Sequence, residues 1–541
     1  MKGGKFFLLL LTLVFGIALI FRFYKLSEYP VSLSMDEVAI GYNAYSILKT
    51  GMDEWGVKMP LAFRSVGDFK PAVDIYLTVP FIAIFGLTEF AVRAPVALLG
   101  SLTCVIIVLF LIEMGFNKGS SLLTGIWFAI VPWHVHFSRG SFEAVTALFF
   151  VVLGVWTFLK SQSAKSYFYA FIAVISFSLS VWAYHAERLF IPLFVIGLVI
   201  VWKNRLKFIF QDKKKLLIIL IILLVFALPF LHLMLFSGAV KTRALSTSVF
   251  REQSLIKVMH NGEYDNFKQL LFDNDYYLIF RHIAGKYLNY FDLRFWFWKG
   301  MAFTPPGFFD SGLFYTVDLP LILAGIYMIW AGKNKKIRTL FLLWFFLGPL
   351  PAAFTMNEQH PLRALIWLPV FAIAMASVYS YFFSRKFKPS ILRYIYIVLV
   401  LFNVLYLKDI YFRQFPRYFS EYWQYGYKQI ALFACQNKDR YKNIVITDTF
   451  GSLGPLNTGI PYIYVLFYCN YDPLIYQNRK SGDIYNIKLR RINWSEDKEL
   501  DNSLLVAAPW DFALDPPADE KIIKTIKYPG GTDAFIFVET K

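Results

Sequence analysis

KNRLKFIFQDKKKLLIILIILLVFALPFLHLMLF, residues 203–236, decides the fold. Up to Lys215 it carries six Lys and Arg against one Asp; from Leu216 to Phe236 it carries no Asp, Glu, Lys or Arg. A helix rises about 1.5 Å per residue, so roughly twenty apolar residues cross a hydrocarbon core of about 30 Å. The stretch therefore reads as a basic connector followed by a membrane span. The alternation recurs, with apolar blocks near 6–24, 94–114, 120–137, 142–159, 167–184, 188–202, 216–236, 313–331, 338–355, 364–383 and 391–411. The expected fold class is a polytopic α-helical membrane protein of about eleven transmembrane helices.

Composition agrees. Of 541 residues, 57% are hydrophobic and only 17% charged, less charge than a soluble domain of this size carries. Aromatic residues make up 19%, and Tyr and Trp favour membrane interfaces. The net charge of +18 would suggest nucleic acid in a soluble chain, but most of the excess lies in short connectors, so topology explains it and no nucleic-acid partner is implied. The start, MKGGKFFLLLLTLVFGIALIF, has a basic end and a long apolar run without an A-x-A-like cleavage site, and reads as an uncleaved first helix.

The segment DIYLTVPFIAIFGL, 74–87, sets the topology. If it lies in the interface and the N-terminus is cytoplasmic, the inner connectors are MKGGK, NKGSS, KSQSAKS, KNRLKFIFQDKKK, GKNKKIR and SRKFKP. These carry eighteen Lys and Arg against one acid. If it spans, all of these after the first move outside, against the positive-inside rule. The first arrangement puts three larger pieces on the extracytoplasmic side: residues 25–93, 237–312 and the tail. The chain then divides into a transmembrane domain, 1–412, and an extracytoplasmic domain, 413–541. The tail opens with the amphipathic SEYWQYGYKQIALFA. The runs NIVITD, YIYVLFY, SLLVAAP and DAFIFVET that follow read as strands, so a small α/β domain is expected. Cys435 and Cys469 lie there, and their pairing depends on an oxidising compartment. The expected location is a plasma (inner) membrane.

The polar residues then gather at the outer mouth of the bundle. In SLSMDEVAIGYNAYSILKTG, Asp36 and Glu37 are adjacent, so on a helix they face different ways; one can enter a cavity while the other anchors the loop. A carboxylate near an apolar surface should titrate high, which suits a general base, although a solvated loop acid or a helix cap fits the spacing equally. Lys70 precedes Pro71 at the mouth of the interfacial helix, and Glu89 and Arg93 stand at i and i+4. Arg139 and Arg363 fall at other outer ends. Cations held at the outer surface suit a phosphate; snorkelling to lipid headgroups explains any one of them. The outer turns add His134, His136, His185, Arg188 and His360 as possible substrate contacts, with Glu89. The two histidines at i and i+2 leave a divalent metal open, but on a helix they diverge, and interfacial hydrogen bonding is the plainer reading. The aromatic run NYFDLRFWFWKGMAFTPPGFFD reads either as a cradle for a polyprenyl chain or sugar or as an interfacial belt.

Taken in order over residues 1–412, these motifs resemble the GT-C glycosyltransferases. The resemblance is to the branch of the protein O-mannosyltransferases and the lipid A aminoarabinose transferase. The matches are Asp36–Glu37, Lys70–Pro71, Glu89, Arg93 and Pro95, Ser138–Arg139, then Tyr184, His185 and Arg188, and finally Pro351, Ala353, Thr355 and Arg363. The resemblance implies inverting transfer from a polyprenyl-phosphate sugar donor to an extracytoplasmic acceptor: a protein hydroxyl, a glycolipid or a polysaccharide. It implies Asp36 as catalytic carboxylate and Lys70, Arg93, Arg139 and Arg363 around the donor phosphate. The aminoarabinose branch places an acid directly before the Lys; Phe69 stands there in this chain and Asp68 one step earlier. A metal site using that acid is therefore not implied. Two other readings stand beside this one. A transporter or flippase calls for ionisable residues at mid-bilayer or broken helices in matched halves. A non-catalytic envelope assembly protein would use the tail for binding.

Overall fold

The computed structural model describes residues 2–236, 249, 267, 271, 274–301, 311–356, 358–384, 387–388, 390–451, 459–479, 484–512 and 521–541. All eleven expected spans are helical. Seven helical stretches among the described residues are long and apolar enough to cross a membrane: Gly4–Phe23, Glu89–Glu113, Glu143–Ser163, Lys213–Phe236, Lys335–Ala353, Leu365–Phe382 and Ser390–Phe419. The remaining expected spans are shorter apolar helices, such as Tyr167–Ala183 and Glu187–Trp202. The chain is thus a polytopic helical membrane protein with a small tail sheet. It falls into two compact units: 1–24, 96–138 and 142–407 form one, and 25–95, 139–141 and 408–541 the other.

The first unit is a helical bundle. Asn117, Asn274 and Asn334 cap its helices Lys118–Ile130, Asp275–Asn289 and Lys335–Leu347 by accepting free N–H groups of the first turn. The helix Lys213–Phe236 buries only Ile219 and turns the rest of its apolar surface outward, as lipid contact requires. Leu368–Phe382 is buried almost all round. Where Leu319–Ala331 crosses it, a Cβ on Gly325 would stand 2.2 Å from the Ala374 carbonyl oxygen, so only glycine permits this approach. The aromatic run contributes Trp296 to a buried cluster with Trp367 and Phe371, at ring distances of 5.5 and 5.0 Å. Its beginning is therefore bundle core; residues 302–310 of that run lie outside the described residues.

The second unit joins the first outer loop to the tail. It contains α2, Met35–Thr50; a hairpin of β1, Ala62–Ser65, and β2, Asp68–Pro71; α3, Ala72–Phe85; and the start of α4, Glu89–Glu113. (α1 is Lys2–Phe23, in the first unit.) Ser34 and Glu37 form a capping box at the head of α2, and Gly51 ends that helix in the left-handed region. Val66 and Gly67, both at positive φ, make the two-residue turn between the strands. The tail sheet has the order β4-β3-β5-β7-β6, with β3 Asn443–Ile446, β4 Ile487–Leu489, β5 Ser503–Ala507, β6 Ile522–Lys527 and β7 Asp533–Glu539. β3 runs parallel to β4 and β5, and β7 antiparallel to β5 and β6.

Three tail expectations need revision or completion. YIYVLFY is a helix, Pro461–Tyr468, not a strand. A short unbroken apolar run serves either as a buried helix or as a strand, and Pro461 at the first helical position favours the helix. The amphipathic stretch becomes helical only from Tyr427, after Gly426. A boundary at 412 also differs from the packing: one hydrophobic core runs from Leu33, Val38, Tyr42 and Phe63 into Tyr427, Ile444, Tyr464 and Phe537. Cys435 and Cys469 are joined by a disulfide, with Cα atoms 5.9 Å apart.

Candidate active site

Local structure places the two adjacent acids. Asp36 and Glu37 occupy the first turn of α2, where a carboxylate is favoured by the helix dipole. A turn of about 100° per residue then sends them apart. Glu37 points into the unit and is buried; Asp36 is 58% exposed.

Glu37 has four partners. Arg93 donates to it through Nε at 2.8 Å and Nη2 at 3.2 Å, and the backbone N–H groups of Ser34 and Ser141 donate at 2.9 and 3.2 Å. These match the lone pairs of a carboxylate. Arg93 is equally occupied. Its remaining N–H groups reach the carbonyls of Leu26, Pro30 and Ser32 at 3.1, 2.9 and 2.5 Å, and its guanidinium lies 5.9 Å from the Trp423 ring centre. All five donors are used. The expectations that Arg93 holds the donor phosphate and that Glu37 takes part in catalysis are therefore revised. The pair is a buried clasp tying α2, α4 and the segment after α1 together, because neither charge can be buried without complete pairing.

Arg139 and Glu89 also have partners inside this unit. Arg139 is buried, donates to the carbonyls of Tyr29 and Lys25 at 3.2 and 3.5 Å, and lies 5.0 Å from the Tyr411 ring and 5.5 Å from Phe412. Glu89 does not pair with Arg93 despite the helical spacing. It accepts from Lys428 and, at 3.0 Å, from Tyr468, so it fastens α4 to the tail helices.

Asp36 and Lys70 remain. Lys70 lies on β2 opposite Phe63, and this face of the hairpin is turned inward, so Lys70 is buried, with 4% exposure. Its ammonium donates to the Asp36 carboxylate. A buried cation thus holds a carboxylate that is itself more than half exposed.

The other expected residues belong to the helical unit. Arg22, buried, donates to His134 Nδ1 at 2.7 Å and to the carbonyls of Ala18 and Ala129. His136 is buried against Phe137. Arg188 lies 5.4 Å from the Phe230 ring, and His185 is half-buried beside it in sequence. The turn before Arg363 is well tied. The Tyr290 hydroxyl oxygen accepts the His360 N–H at 3.0 Å, while Gln359 donates to the Asn289 carbonyl. Burial and the Arg363 charge push His360 down to about 3, so it is neutral near pH 7. Arg363 is half-buried.

Among the described residues no group of three or more His, Cys, Asp or Glu stands together as a metal site. His134 is engaged by Arg22 and Asp36 by Lys70.

Glu54 escaped the sequence reading. It is buried, with its Oε1 3.3 Å from Asn43 Nδ2 on α2 and its N–H donating to Asn43 Oδ1 at 3.1 Å. Burial pushes it up to about 7, moderated by hydrogen bonds from Ser65, Asn43 and Tyr462. Nothing in TGMDEWG marks a buried acid; the only available signal was its place between a helix-ending Gly51 and a tight turn.

The comparisons meet this geometry. Residues 12–243 match the model of the family described as dolichyl-phosphate-mannose-protein mannosyltransferase. No curated protein matches in sequence. ArnT from Cupriavidus metallidurans in its apo state superposes with a TM-score of 0.52 at 11% identity, over 99% of this chain and 98% of that one. The chain shares the fold of ArnT over its whole length. The archaeal oligosaccharyltransferase AglB from Archaeoglobus fulgidus, solved with an inhibitory peptide and a dolichol-phosphate, shares the GT-C fold with a TM-score of 0.50. It is 14% identical over 86% of this chain and 64% of its own. The family match takes in α2, the hairpin and the start of α4, hence Asp36, Lys70 and the Glu37–Arg93 clasp.

Proposed function

We propose that the protein transfers a sugar from a polyprenyl-phosphate donor to an acceptor hydroxyl on the extracytoplasmic side of a plasma membrane. Asp36 is the general base. The observation that carries this reading is the Asp36–Lys70 pair: an exposed carboxylate held by a buried ammonium, on a helix braced by the Glu37–Arg93 clasp. The donor class is supported by the matching family, whose description names a dolichyl-phosphate sugar, and by AglB, solved with dolichol-phosphate.

The acceptor oxygen attacks the anomeric carbon opposite the phosphate. The new carbon–oxygen bond forms as the bond to the phosphate oxygen breaks, so configuration inverts. The acceptor proton passes to Asp36, and the electron pair of the broken bond goes to the polyprenyl phosphate. Lys70 stands where it can offset that charge, with Arg363 as a second candidate. The orientation, with cytoplasmic N-terminus and extracytoplasmic tail, is supported by the basic connectors and by the Cys435–Cys469 disulfide, a bond of oxidising compartments. The acceptor is a protein hydroxyl, a glycolipid or a polysaccharide; mass spectrometry of surface glycans and glycoproteins with and without the gene distinguishes these.

The test is Asp36→Asn. Transfer from a polyprenyl-phosphate sugar should vanish while membrane insertion stays intact. Near-normal transfer in that variant removes Asp36 from the mechanism.

A further inference from the structure

The segment Trp55–Leu61, WGVKMPL, exposes a large apolar side chain at every second position. Trp55, Val57, Met59 and Leu61 are 42%, 52%, 54% and 48% exposed. The ridge is built rather than loose: Asp53 Oδ1 accepts the N–H groups of Trp55 and Val57, each at 2.9 Å. Two guanidiniums flank it. Arg64 lies 4.9 Å from the Trp55 ring centre; Arg479 lies 3.3 Å from that of Tyr476 and 5.8 Å from that of Trp55. Neither side chain makes a hydrogen bond or ion pair among the described residues. Lys58 is exposed within the ridge. Stacking fixes each guanidinium; the exposed Arg64 keeps its N–H edge to donate outward, while the half-buried Arg479, whose Nη1 is enclosed, offers only its other N–H groups.

We propose that this patch docks on the membrane surface, with the apolar ridge among lipid headgroups and Arg64, Arg479 and Lys58 on lipid phosphates. Trp is at home in that layer, and an exposed apolar row rimmed by unpaired cations is complementary to it. A second protein is a poorer occupant, because a specific interface needs about 800 Å² per partner, more than four side chains supply. The unit carrying the patch continues into apolar helices after Pro95 and before Lys408, so a bilayer lies within short chain reach. Arg64 sits opposite Phe69 and Lys70 opposite Phe63, hence on opposite faces of one hairpin. Docking of the outer face would hold Lys70 at the level of lipid phosphates; this last consequence rests on the proposed function.

The test uses the full chain in nanodiscs. Cys104 is buried and Cys435–Cys469 is a disulfide, so Met59→Cys takes a single environment-sensitive NBD label. Discs are made from phosphatidylcholine alone or mixed with phosphatidylglycerol, each with doxyl-labelled lipid as quencher. The label should be quenched more strongly in the anionic discs, and less as salt rises. Each cation removed, by Arg64→Gln, Arg479→Gln or Lys58→Gln, should lower the docked-to-undocked ratio about fivefold. Lys58→Gln alters an exposed side chain, so its effect does not depend on altered folding. A water-like, unquenched label in both discs overturns the proposal, as does quenching indifferent to lipid charge and to all three variants. Shielding seen only in native membranes overturns it in favour of a protein partner. The label reads docking without turnover. An active enzyme with an unquenched label counts against docking alone, and a docked but inactive one against glycosyl transfer alone.

Discussion

At the scale of single residues, adjacent acids have opposite duties because helix geometry separates them. Asp36 stays open and Glu37 is enclosed with four donors. Their variants should therefore fail differently. Glu37→Gln leaves the buried Arg93 charge without its partner, and breaking a buried pair costs about 3–5 kcal/mol; the melting temperature in detergent should fall sharply. Asp36→Asn should remove turnover and lower that temperature less than Glu37→Gln does, because the carboxylate it replaces is more than half exposed. Lys70→Gln separates binding from scaffold: KM for the polyprenyl-phosphate donor should rise and kcat fall, with melting changed less than in Glu37→Gln. An unchanged donor KM would remove Lys70 from phosphate binding.

Among the elements, the hairpin and the segment beneath it control where Lys70 stands. The turn needs positive φ at both Val66 and Gly67. Gly67 has open space around a Cβ, so its demand is conformational; Gly67→Val should cost about 1–2 kcal/mol through the left-handed backbone alone and raise the donor KM. Glu54 lies between α2 and this hairpin. Its folded value, near 7, is above that of the unfolded chain, so burial disfavours only the charged form. The associated stability is complete below about pH 4.5, declines as pH rises, and is gone once pH passes about 7. Melting temperature should therefore fall across that window in the wild type, and fall less in Glu54→Gln. Parallel curves for the two proteins would exclude Glu54 as the source.

Over the whole molecule, the expected orientation is testable by cysteine labelling from outside intact cells. With Cys104 buried, single cysteines placed in the tail should label, and those in the connector 203–215 should not. Replacing both Cys435 and Cys469 by Ser should lower the stability of the tail by about 2–4 kcal/mol, since the bond closes a separation of 34 residues. The sequence by itself determined the placing of the apolar helices and the mixed helix–strand character of the tail, and its charge asymmetry sets the orientation expected for the connectors. Length, hydropathy and charge asymmetry are local properties that a bilayer reads segment by segment. It also brought Asp36 and Lys70 forward, through the order of motifs that resembles a known family. Only the tertiary structure decided that Arg93 is spent on internal carbonyls and Glu37, that Arg139 is buried, that Glu89 holds Lys428, and that the first loop shares one core with the tail. Those outcomes depend on which charges are buried together, and burial is set by contacts between residues as far apart as Tyr42 and Tyr471, a relation that no local pattern carries.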